Sequence, residues 1–169
     1  MSLSPRKHGR QSGQALVELA FILPVLLLLA LGVIEIGRYA YISILVGNAA
    51  HAGAMYASLG ASQANDPTGI QNAALYDFAG ATSGNTNTNG QLASTLSVTS
   101  VQSCGCDTAG SITTAVCDKT ANPNAGTCAT GHWVVAVAVT ATGTFDALFN
   151  YPGIPTPLTI SRTSTVRVF

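Results

Sequence analysis

The sequence predicts an α+β protein: one long N-terminal helix packed on a small antiparallel sheet, with a disulfide-bonded loop among the strands. Three observations predict it. A run without a charged residue extends from Leu19 to Ile34, and proline-free sequence rich in small residues continues it to Gly60. In the second half, "STLSVTSVQ" and "LTISRTSTVRVF" alternate apolar with polar residues, and "HWVVAVAVTAT" concentrates β-branched ones. Four cysteines, Cys104, Cys106, Cys117 and Cys128, fall in Gly/Thr/Asn-rich sequence between these runs.

Counting Ala15 to Val17 and Ile36, the apolar span reaches about 22 residues, or roughly 33 Å of helix, against ~30 Å of bilayer hydrocarbon. The core helix of a soluble domain is seldom so long and unrelieved. A cleaved signal peptide has a shorter apolar region, and the small-x-small candidate Ala50-His51-Ala52 lies too far beyond the run to serve. The segment therefore reads as a retained membrane anchor. Arg6, Lys7 and Arg10 flank its N-terminal side and only Arg38 its other side, which places the N-terminus in the cytoplasm and exports the remainder. Pro24 lies inside the run, where a transmembrane helix absorbs a proline with a kink.

The helix is expected to continue beyond the membrane. Tyr39, Ile42, Val46, Ala49, Gly53 and Tyr56/Ala57 recur at helical spacing, with Gly60 as the stop. Gly47 and Gly53 work against it by their low helix propensity. A second helix follows from Pro67 to Ala79, capped by Asp66 and patterned by Ile70, Ala73/Ala74 and Phe78. "GATSGNTNTNGQ" (80–91) reads as a polar loop, and "YPGIPTP" (151–157) as a turn-rich connection before the last strand. The organisation is thus a basic N-terminal segment at 1–13, a transmembrane helix at 14–38, its exported extension at 39–60 and an α+β domain at 61–169.

Composition excludes several functions. Charged residues make up 8% of the chain, against roughly 25% in ordinary soluble domains. The net charge is zero, and beyond Arg38 the only bases are Lys119, Arg162 and Arg167, too few and too scattered for nucleic acid. His8, His51 and His132 stand in no catalytic or metal-ligand spacing, and no phosphate loop or nucleophile elbow occurs. No cofactor, metal or small-molecule substrate is expected. An even number of cysteines in an exported loop reads as two disulfides; of the three pairings, Cys104–Cys106 is disfavoured by its strained ring. The competing zinc site lacks a common ligand spacing.

An acid at the edge of a membrane span asks for a partner. Glu18 is preceded by a short basic leader and by Gly13-Gln14-Ala15-Leu16-Val17. This arrangement resembles the processing site of type IV prepilins. The resemblance implies cleavage after Gly13 by a prepilin peptidase, Gln14 as the mature N-terminus, and Glu18 as a fifth-position acid that pairs with the new amino group of a neighbouring subunit. In a low-dielectric bundle such an amine and carboxylate relieve each other's desolvation. The longer stretch "GQALVELAFILPVLLLLALGVIEIGRYAY", followed by "NAAHAGAMYAS", resembles the TadE-like minor pseudopilins of tight-adherence (Tad/Flp) pili. Gly13, Val17-Glu18, Leu23-Pro24, Gly32, Glu35 and Gly37-Arg38 carry the likeness. His51 and Met55 depart from it, standing where the family commonly has basic residues. Glu35 and Arg38 are three apart, share a helical face and can pair.

The resemblance implies a pilin-like fold, an inner-membrane location and a role in pilus assembly or priming. The implied partners are the prepilin peptidase, the major pilin or other minor pseudopilins, and the Tad secretion machinery. Two rival expectations differ in kind: an uncleaved, single-pass anchored module that docks another protein, and an exported metal-binding domain using the cysteines.

Overall fold

A computed structural model describes residues 12–79, 96–117, 128–149 and 156–168. Its elements are α1 (Ser12–Ser58), α2 (Ala61–Ala64), α3 (Pro67–Ala79), β1 (Leu96–Thr108), β2 (Ser111–Ala115), β3 (His132–Phe145) and β4 (Leu158–Arg167). The chain divides into two compact units, Met1–Gly37 and Arg38–Phe169.

The described part of the first unit is the apolar part of α1. Leu16, Phe21, Leu28 and Val33 are 67, 78, 69 and 69% exposed, on different faces of the helix. α1 is long and apolar enough to cross a membrane. Large apolar side chains all round a helix need an apolar solvent, which lipid supplies. Pro24 lies inside the helix and brings no N–H, so the Ala20 carbonyl loses its usual intrahelical donor.

The second unit is built around the antiparallel sheet, in the order β2-β1-β3-β4. The alternation of β3 dictates its place at the centre. Val135, Val137, Val139, Ala141 and Phe145 face the core, while Thr140 and Thr142 on the other face bond Thr163 (2.9 Å) and Ser161 (3.2 Å) of β4. Val98 of β1 and Ile160 of β4 extend the apolar face on either side. Against it lie Ile42, Val46, Ala49, Ala50, Ala54 and Ala57 of α1, with Ile70, Ala74 and Phe78 of α3. The helix positions with expected spacing are therefore the ones buried, apart from Tyr39, which stays 41% exposed. The small side chains of α1 pack against Val137, Val139, Ala141 and Phe145 of β3 in one cluster.

Several elements differ from expectation. β1 extends to Thr108, so Cys104 and Cys106 lie within a strand and not in an excursion between strands. The reason is β2, which the sequence reading lacks: Cys104 faces Ala115 and Thr108 faces Ser111 across a tight turn. α2 is likewise new. α1 stops at Ser58, two residues before the expected Gly60, whose φ of 166° is extended. α3 has the expected limits, and its cap is Asp66, whose Oδ1 accepts from the Gly69 amide at 2.9 Å. The loop at 80–91 lies outside the described residues, as does the 151–157 connection up to Thr156-Pro157, which are joined by a cis bond.

Candidate functional site

The residues singled out in the sequence occupy α1 at intervals. Gly13, Gln14 and Glu18 are all exposed in its first turns, and a β-carbon at Gly13 would meet nothing within 4 Å. Gln14 and Glu18 stand one turn apart and share a face. Glu35 lies 17 residues beyond Glu18, about 26 Å along a helix axis, so the two acids are separate features. Glu35 is 8% exposed and is the one charged side chain buried among the described residues.

Arg38 opens the second unit. Its guanidinium carbon lies 5.4 Å from the centroid of the Phe145 ring, and Nη2 donates to the Asp146 carbonyl at 3.5 Å. Tyr39 meets the same ring edge-on, with centroids 5.7 Å apart. Arg38 thus joins the start of this stretch of α1 to the end of β3, through a cation over an aromatic face.

The cysteines pair as Cys104–Cys117 and Cys106–Cys128, closing sequence separations of 13 and 22. Cys104 and Cys106 are two apart on β1 and point to one face. Cys104 reaches the residue after next beyond β2, and Cys106 the segment that leads into β3. All four sulfurs are consumed, which removes the thiolates a zinc site would use. Among the described residues no three His, Cys, Asp or Glu side chains gather as metal ligands.

Sequence spacing gave no sign of a charged cluster at the far end of β3. Arg167 donates to Asp107 Oδ2 at 3.1 Å and stands 2.6 Å from His132 Nε2. The Gly110 amide donates to Asp107 Oδ1 at 2.9 Å. That amide bond foremost, aided by Arg167 and His132, holds the Asp107 carboxyl below its ordinary range against a smaller opposing effect of desolvation. The partners come from three strands and from residues 60 apart, so only folding assembles them.

A further contact ties α1 to α3. Tyr56 donates its hydroxyl to Asp66 Oδ2 at 3.0 Å, which pushes the Tyr56 hydroxyl above its ordinary pKa, chiefly through that bond. Beside it runs an open groove of about 670 Å³ floored by Ala52, Gly69 and Ala73 and walled by Tyr76. Its carboxylates, Asp66 and Asp77, sit three helical turns apart along α3, too far to act together on one bond.

Residues 13–55 match the family described as TadE-like protein. Over that stretch α1 is similar to the family. The match begins at the glycine of the proposed processing site and ends at Met55, inside the last turn of α1. It covers a quarter of the chain, so the sheet and its disulfides lie outside the TadE-like segment. No curated protein and no solved structure matches the chain.

Proposed function

We propose that the chain is a minor pseudopilin that takes part in assembling or priming a tight-adherence type IV pilus. The observation that carries this reading is the TadE-like match starting at Gly13, with Glu18 in the fifth place after it. On this reading the basic leader stays in the cytoplasm and the first half of α1 crosses the inner membrane. A prepilin peptidase cuts after Gly13, and the second unit is exported. Glu18 then pairs with the amino group of a neighbouring subunit's mature chain while apolar helices pack around it. Exposure of Gln14 and Glu18 on α1 supports this, because both groups are accessible to a neighbour. The partners are the major pilin, other minor pseudopilins and the Tad assembly machinery. The protein acts by binding, not by catalysis.

N-terminal sequencing and intact mass of the protein from membranes of cells with the matching peptidase test the reading. A chain beginning at Gln14 is expected. A chain that retains the leader through Gly13 would favour an uncleaved anchored module instead. Glu18→Gln should leave cleavage intact and reduce incorporation into filaments or priming complexes; normal incorporation would remove the charge-pair role.

A further inference from the structure

Around Arg38, the first residue of the second unit, exposed aromatic and apolar side chains gather from α1 and the end of β3. Arg38 begins the unit at the end of the membrane-length segment, with Tyr39 and Tyr41 (41 and 46% exposed) in the next turn. Arg38 and Tyr39 both contact Phe145, which fixes the end of β3 at the same level. The chain then turns through Asp146 and Ala147 to Leu148 and Phe149, 61 and 45% exposed. Leaving a leucine and a phenylalanine this exposed in water is unfavourable. Tyrosine and arginine are the residues that settle at the bilayer–water boundary, with the ring in the headgroup layer and the cation reaching phosphate.

We propose that the Leu148–Phe149 turn, with Arg38, Tyr39 and Tyr41, inserts into the lipid headgroup layer and seats the second unit on the membrane before assembly. The occupant follows from chain continuity: Arg38 is the last residue of the segment read as membrane-spanning, so the side chains it contacts are tethered at the lipid surface. This rests on the anchoring role given to α1 under the proposed function. Arg38 and Asp146 contribute one charge of each sign, so the apolar side chains drive the insertion and no excess of anionic lipid is required. The opposite end of β3 differs in kind, since it carries the Asp107–Arg167–His132 cluster. Phe145 lies twelve residues beyond Trp133 on this strand, a separation of about 40 Å.

That separation supplies the test, because Trp133 is the sole tryptophan. The full chain is reconstituted in vesicles of phosphatidylcholine brominated high on the acyl chains, either as the native protein or with Leu148→Trp in a Trp133→Phe background. Flotation of the protein with the vesicles first reports the anchor; protein left behind would overturn both the anchoring reading and the seating. For protein that floats, the Leu148→Trp indole is expected to lose about half or more of its emission relative to unbrominated vesicles, while Trp133 keeps its own. Emission unchanged at position 148 in floating, disulfide-intact protein would overturn the seating and leave the anchor standing. Phe149→Trp in the same background provides a second reporter if Leu148→Trp misfolds, and unchanged emission there would equally overturn the proposal.

Discussion

At Gly53 an added β-carbon would lie 3.0 Å from Val139 Cγ1 and 3.3 Å from Ile70 Cγ2, where α1, α3 and β3 meet. At Gly47 the nearest atom would be Arg162 Cγ at 4.0 Å. Alanine relieves the helix of about 1 kcal/mol of glycine cost at either position. Overpacking at Gly53 costs about 1–3 kcal/mol and cancels or exceeds that gain. Gly47→Ala should therefore raise the unfolding midpoint of the full chain in lipid nanodiscs, and Gly53→Ala should leave it unchanged or lower it. A higher midpoint for Gly53→Ala would show that the three elements are less tightly packed than these distances indicate. Asp107 gives a prediction in pH. Its carboxyl is held below the ordinary 3.8 in the folded chain, so it stabilises the fold at pH above that value, and the contribution fades as pH falls through the lowered folded value. Asp107→Asn should lower the midpoint at neutral pH, and the gap from the native chain should close in strong acid. A gap that held constant with pH would assign the loss to shape rather than charge.

Among the elements, β1 is held by both covalent links. Loops of this size restrict the unfolded chain by about 3 kcal/mol each. Replacing Cys104 and Cys117 together by serine should lower the denaturation midpoint by an amount of that order, read on the full chain under oxidising conditions. An unchanged midpoint would leave that bridge no part in stability. β1, β3 and β4 and the limits of α3 were legible because alternation, β-branching and the Asp66-Pro67 start act locally. β2 was not: its Ser-Ile-Thr-Thr-Ala is exposed throughout, has no buried face to pattern, and exists because β1 pairs with it. Cysteine spacing left the pairing open, since either arrangement closes loops of acceptable size. The Asp107–Arg167 contact and the Tyr56–Asp66 tie are products of tertiary folding, whereas Gly13, Glu18 and Pro24 stood out because a membrane span makes any interruption conspicuous.

At the scale of the whole molecule, the edges of the sheet decide how copies of the second unit can meet. The half of β1 not covered by β2 is shielded by α3, whose Gln71 donates from Nε2 to the Val98 carbonyl at 3.1 Å. On the other side β4 carries Arg162, which donates to Ser43 Oγ at 2.6 Å, and Arg167. Charged side chains on an outer strand and a side chain occupying a ladder acceptor both discourage strand-to-strand pairing. Gln71→Ala should therefore raise the concentration-dependent light scattering of the purified full chain without a large change in its unfolding midpoint. Scattering equal to that of the native chain would remove this role from Gln71.

The Gln71–Val98 bond has a further consequence wherever copies of the chain are crowded together. High local concentration is the condition under which bare strand edges nucleate amyloid-like fibres. A single amide placed on the Val98 carbonyl withholds that stretch of β1 from a second strand.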